Sequence, residues 1–138
     1  MRYTGIVTEL KPNEVFVFGS NAAGIHGAGA ALKARQWGAE MGNGFGFQGR
    51  TYAIPTKDHF VNTLPIEAVK EYVDIFLSDA RLEIEFPHLP QHTFLVTEIG
   101  CGLAGYTPAD IAPLFRSALN VPNIILPESF HKILNNNE

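Results

Sequence analysis

The sequence predicts an α/β domain with a largely parallel sheet covered on both faces, and three observations carry that prediction. Short apolar runs rich in β-branched and aromatic residues recur at 15–18, 51–55, 93–99 and 123–126. Segments of helical period lie between them. Two of the strands empty into small-residue loops, 19–29 and 100–106, each of which leads into a helix. Strands alternating with helices need crossover connections, which pack helices on both faces of a parallel sheet.

Each element has a local reason. Residues 1–8 read as an edge strand, and Lys11-Pro12-Asn13 as the turn before the first buried strand. That strand, 15–18, is apolar throughout, as a strand buried on both faces must be. A helix follows over 28–37 and ends near Trp37-Gly38. The stretch 41–50 contains Gly44-Phe-Gly-Phe-Gln-Gly49, a literal G-x-G-x-x-G. A dinucleotide fingerprint must follow a strand and open a helix. This copy precedes the strand 51–55, so it reads as a flexible connection or lid, with Phe45 and Phe47 as covers over an adenine or ribose.

The second strand runs out into Thr56, Lys57, Asp58 and His59. Pro65 suits the first position of a helix, with Glu67 in the first turn. Ile66, Val69, Tyr72, Val73, Phe76, Leu77 and Ala80 then repeat at helical spacing, leaving Glu67, Lys70, Glu71 and Asp74 outward. Pro87 and Pro90 bracket a loop before the strand 93–99. After the second small-residue loop, Thr107 reads as an N-cap with Pro108 at the first helical position and Asp110 in the first turn. A strand at 123–126 and a helix over 127–134 close the chain, and the tail 135–138 is expected to fray.

Bulk properties narrow the function. The 138 residues suit a single domain, 1–138, burying roughly two-thirds of the unfolded chain's surface. A net charge of −4 and the lack of any Lys/Arg block argue against general nucleic-acid binding. No apolar run reaches the ~18 residues of a membrane span, and the N-terminus has no apolar signal core, so no membrane partner and a cytoplasmic location are expected. Cys101 is the one cysteine and has no partner for an intrachain disulfide. No ligand spacing suggests a metal, and neither a G-x-S-x-G elbow nor a Walker A sequence is present. No cofactor is expected.

If the strands are parallel neighbours, the segments 19–29, 56–59 and 100–106 share one rim, where open α/β sheets bind ligands. Two glycine-rich loops facing each other suit a diphosphate, gripped by backbone N–H groups. The glycines alone equally permit a sharp turn and close packing. Asn21 suits a ribose hydroxyl or simply forms a turn. His26 suits acid–base work or a sugar contact, or is a surface histidine. Lys57 attracts phosphate or acts as a nucleophile when desolvated; the plain alternative is a solvated lysine beside Asp58. Cys101 is a nucleophile only with a low pKa and a nearby base, and otherwise packs as a small residue. Tyr106 stacks on a base, covers phosphates, or closes its own loop.

Together, Gly19-Ser-Asn-Ala-Ala-Gly-Ile-His-Gly-Ala-Gly-Ala-Ala31 and Ile99-Gly-Cys-Gly-Leu-Ala-Gly-Tyr106 resemble the two ADP-ribose-binding loops of a macrodomain. The nearer branch is that of terminal ADP-ribose protein glycohydrolases and ADP-ribose 1''-phosphate phosphatases. Ala53-Ile-Pro-Thr-Lys57 is similar to its middle strand, and order and spacing agree over about 15–126. The chain also resembles small, often phage-associated, bacterial proteins of unassigned function.

The resemblance implies a macrodomain-like three-layer α/β/α fold with a mixed, mostly parallel sheet. It implies a ligand of the ADP-ribose type, free or carried on an ADP-ribosylated macromolecule. Gly19, Ser20, Asn21, Gly27, Ala28, Gly29 and Ala30 would line the distal ribose and phosphates. Gly100, Cys101, Gly102, Leu103, Ala104, Gly105 and Tyr106 would wrap the diphosphate from the other side. Lys57 matches the lysine that attacks the ribose in the glycohydrolase branch. That branch has an aspartate where this chain has Ala104, leaving His26 or Asp58 as substitutes. Its adenine-contacting Gly-Asp is also missing, with Thr8-Glu9 as a loose analogue. Three functions follow: hydrolysis at the distal ribose, a non-catalytic sensor or sponge of NAD-derived nucleotides, and a phage accessory protein without ligand.

Overall fold

A computed structural model describes residues 2–136 of the chain. Five strands form one sheet: β1 (Glu14–Asn21), β2 (Gly46–Gln48), β3 (Thr51–Lys57), β4 (Thr93–Val96) and β5 (Ile124–Ile125). Four helices accompany them: α1 (Gly29–Ala34), α2 (Ile66–Glu85), α3 (Pro108–Ile111) and α4 (Glu128–Asn136). The sheet order is β2-β3-β1-β4-β5, with β2 alone antiparallel to its neighbour. The fold class is therefore the expected α/β, a mixed and mostly parallel sheet between two helical layers.

Alternation along the strands sorts the core. Val15, Val17, Tyr52, Ile54, Phe94 and Val96 pack against buried residues of α2, α3 and α4. Phe16, Phe18, Ala53 and Leu95 face the other way, toward Ala31 and Ala34 of α1 and toward Val7. Successive strand residues point to opposite faces, so a strand apolar on both must be central. The long helix α2 buries Val69, Val73, Phe76, Leu77 and Ala80, and each large side chain contributes about 1.5–3 kcal/mol. Two polar ties lock it down. The Tyr52 hydroxyl donates to Asp79 at 2.6 Å, and the buried Glu83 carboxylate accepts the His92 amide at 2.7 Å and meets its ring Nδ1 at 2.8 Å.

Several elements differ from expectation. Among the described residues of 1–8 no strand forms; Thr4 makes one parallel bridge to Pro127, its N–H donating to Leu126. The glycine-rich stretch is not a flexible connection. Its residues Gly46–Gln48 are β2, paired with β3, and Gln48 is buried with its amide bonded to Asn43. Phe45 packs on Tyr52 and Tyr72 against the core, and Phe47 touches Tyr52, His92 and Phe94 at the core's edge while staying 46% exposed, so neither ring is a mobile cover. Pro65 sits one residue earlier than expected, at the N-cap of α2.

β4 stops at Val96, where Thr97 turns its hydroxyl to the Val17 carbonyl. The helix after Thr107 is α-helical only to Ile111 and continues as a 3-10 helix over Ala112–Ala118. Pro113 has no N–H to extend the α-helical ladder, which favours the tighter winding. Asn135 and Asn136 end α4, and the last two residues of the expected frayed tail lie outside the described residues. No helix among the described residues is long and apolar enough to cross a membrane.

Candidate functional site

The order β3-β1-β4 brings the carboxyl ends of three parallel strands to one rim. From β1 the chain crosses to α1 on one face; from β4 it crosses to α3 on the other. The gap between β1 and β4 is thus a switch point, where the two crossovers part and leave a crevice. The two loops meet there. A Cβ on Gly19 would lie 3.3 Å from the Gly100 nitrogen, so β1 and the loop after β4 approach this closely because Gly19 has no side chain.

The first loop is half closed and half open. Asn21 is buried, and its side chain bonds Ile25 twice, accepting from the amide at 2.9 Å and donating to the carbonyl at 2.8 Å. It is the turn former rather than a free ribose ligand. The Ser20 hydroxyl donates to the Gly44 carbonyl, so it too is taken up inside the protein. The segment 41–45 lies over this half: the Gly42 amide donates to Gly24, and a Cβ on Gly24 would come within 2.2 Å of the Asn43 nitrogen.

His26 belongs to that closure and not to the surface. It is fully buried, its Nε2 is 3.0 Å from the Asn43 carbonyl, and its ring meets Phe18 edge-on. Its Nδ1 has no partner among the described residues. The expected acid–base role is corrected to that of a latch between the first loop and the segment over it.

Beyond His26 the loop opens. Gly27, Ala28 and Gly29 are exposed and Ala30 half-buried, and α1 begins without a side-chain cap. The first N–H groups of any helix lack intrahelical acceptors. Those of Gly29, Ala30 and Ala31 carry no other bond among the described residues.

The second loop has the same division. The Cys101 amide donates to Glu98, Gly105 to Gly102 and Tyr106 to Gly100. The amides of Gly102, Leu103 and Ala104 make no such bond among the described residues. Asp110 accepts both the amide and the hydroxyl of Thr107, pinning the start of α3. The Tyr106 amide closes the loop, and its hydroxyl, donating to the Leu64 carbonyl at 2.5 Å, ties the loop to the segment before α2, with its ring 3.5 Å from where a Cβ on Gly100 would be. The Cys101 thiol is pushed up to about 11 by burial, with Glu98 and Asp110 adding to the effect. At neutral pH it is a packed thiol and not a nucleophile.

Lys57 ends β3 on the same rim, half-buried and paired in register with Asn21. Its neighbour Asp58 is occupied. One carboxylate oxygen accepts the amides of Phe60 at 2.8 Å and Asn62 at 2.9 Å, which shapes the following turn. The Thr63 hydroxyl donates to Ala104 at 2.8 Å and ties that turn to the second loop. Of the three candidate catalytic side chains, Lys57 alone remains at the rim without a structural task.

One feature of the rim escaped the sequence reading. A cleft of about 330 Å³ opens beside the end of β4, lined by Thr4, Gly5, Ile6, Glu98, Pro127 and Ser129 among others. Ile6 is 92% exposed at its edge, and Ser129 donates to Glu98 at 2.7 Å. The carboxylate here is Glu98, while Glu9, the loose analogue in the N-terminal segment, lines a second cleft of about 430 Å³ that shares Thr4, Gly5 and Ile6 with the first. The position of Glu98, directly before Ile99-Gly-Cys-Gly, was the available signal. Among the described residues no group of three or more His, Cys, Asp or Glu is gathered as a metal ion would need.

No family model, curated protein or solved structure matches the chain.

Proposed function

We propose that this protein is a macrodomain-type module that binds ADP-ribose or a closely related NAD-derived nucleotide across the rim. The observation that carries the reading is the meeting of Gly19 and Gly100 at the switch point, with amides on both flanks that carry no bond among the described residues. Such amides hold a diphosphate without a basic cluster, consistent with a chain of net charge −4. Gly102, Leu103 and Ala104 on one side, and Gly27 to Ala30 on the other, are the phosphate-facing candidates.

The cleft at Ile6 and Glu98 suits the adenine. Its volume is at the small end of the roughly 300–1,000 Å³ typical of ligand pockets, enough for a base and not for a whole dinucleotide. Ile6 and Pro127 offer apolar walls, and the Glu98 carboxylate is an acceptor for the exocyclic amine. The distal ribose then falls toward Lys57, which supports a second reading, hydrolysis of an ADP-ribosyl linkage with Lys57 as nucleophile. The burial of His26, the engagement of Asp58 and Ala104 at the acid's position favour binding over turnover.

Calorimetry and thermal melting with ADP-ribose test the proposal. Ligand at 100 times Kd stabilises the folded state by about 2.7 kcal/mol. Measurable heat and a raised Tm are expected. No heat and no shift at millimolar ligand would overturn both readings.

A further inference from the structure

Beyond Lys57 the chain makes a tight turn that the nucleotide reading leaves without a task. Lys57 and Thr63 pair across its base, the Asp58 amide donates to Asn62 at 2.8 Å, and the Val61 amide to Asp58 at 3.1 Å. With the two bonds to the Asp58 carboxylate and the Thr63–Ala104 tie, the turn is held at base and tip. Val61 nonetheless has φ 64°, a left-handed conformation costly for a β-branched residue. This held, strained turn carries Phe60, which is 85% exposed. A large aromatic ring left in water on a fixed support at a ligand rim is a surface waiting for a flat partner.

We propose that Phe60 is a stacking platform for a planar, positively charged ring attached to the distal ribose. The site then takes an oxidised nicotinamide dinucleotide with its base in place, as well as ADP-ribose. This rests on the reading of the rim as an ADP-ribose site and extends it to the group beyond the distal ribose. Aromatic faces attract flat rings, and cations more strongly. The net charge of −4 favours a small ligand with a cationic ring over a nucleic-acid strand. Lys57 at the stem of the turn opposes a cation. The second carboxylate oxygen of Asp58, which accepts no bond among the described residues, offsets it.

Calorimetric titration of NAD+ and ADP-ribose into the wild type, Phe60→Ala and Phe60→Trp tests the proposal. With Phe60 so exposed, neither variant loses the fold. Phe60→Ala should weaken NAD+ roughly tenfold, the scale of one lost base–aromatic stack, and leave ADP-ribose within about twofold. Phe60→Trp should keep NAD+ affinity. Wild type that binds ADP-ribose but not NAD+ overturns this inference and spares the broader reading, as does an equal loss of both ligands in Phe60→Ala. Phe60-dependent binding of a single-stranded oligonucleotide in place of NAD+ also overturns it. If neither nucleotide binds the wild type, both proposals fall together.

Discussion

Gly19 near the end of β1 stands against Gly100 in the loop after β4, so close that a Cβ on Gly19 would lie 3.3 Å from the Gly100 nitrogen. Gly100 itself has φ 77°, which a side chain adopts at a cost, and Ile111 lies 3.2 Å from where its Cβ would be. The rim therefore narrows to bare backbone where the two crossovers separate. Everything proposed for this site depends on that narrowness.

Gly102 separates binding from folding. A Cβ there meets nothing within 4 Å, and its φ is not in the left-handed region. Gly102→Val should leave stability within about 0.5 kcal/mol of wild type, as exposed substitutions do. It should also cut ADP-ribose affinity at least tenfold by crowding the phosphate loop. A urea melt and a titration on the same preparation check both, and intact affinity would contradict the placement.

Lys57→Ala divides the two functional readings. If the protein releases ADP-ribose from a modified protein, this variant should abolish turnover, and unchanged rates would exclude Lys57 as nucleophile. If the protein only binds, the loss is that of one charge-assisted contact, about 1.5–3 kcal/mol of affinity. Rates and affinities on one set of ADP-ribosylated substrates distinguish these outcomes.

Glu83 is a structural carboxylate. Buried and bonded to the His92 amide and ring, it anchors the last turns of α2 to the start of β4. Glu83→Ala strands the His92 amide and should cost about 2–3 kcal/mol. The urea midpoint should fall while ADP-ribose affinity, measured on the folded fraction, stays the same.

Cys101 gives a pH signature. Its thiol is raised to about 11 from an ordinary value of 9.0, chiefly by burial. A raised folded pKa means the folded state holds the proton more tightly. The contribution is therefore present below pH 9.0 and is lost as pH rises through about 11. Cys101→Ala should flatten the alkaline loss of stability, and alkylation of the native thiol should be slow at neutral pH and accelerate toward that range.

Much of the architecture was legible because burial imposes a pattern on sequence. Strand 15–18 is apolar on both faces because it is central, and α2 repeats its apolar residues every third or fourth position because it covers the sheet. The stretch 44–49 was misread because its glycines suggest freedom, whereas pairing with β3 and the buried Gln48 amide hold it. The edge strand expected at 1–8 shrinks to one bridge at Thr4 among the described residues, because a ladder partner is supplied by the distant Pro127 and leaves no mark on the N-terminal segment itself.

The site was half legible. Small residues at two strand exits announced the loops, and parallel order puts Lys57 beside them. The turn-forming role of Asn21 was one of its two readings, because its partner Ile25 lies only four residues on, whereas the fate of His26 was hidden, since the Asn43 carbonyl that engages it is placed by folding. The cleft at Glu98 was hidden for the same reason: it joins segments more than ninety residues apart, Thr4 to Ile6 and Thr97 to Ser129.

The most direct test of the account is a titration of ADP-ribose into isotopically labelled protein, followed by amide NMR. The amides of Gly27 to Ala30 and of Gly102 to Ala104 should shift together, with Glu98 and Ser129 responding in the same saturating phase. Shifts confined to another face, or to one loop alone, would contradict it.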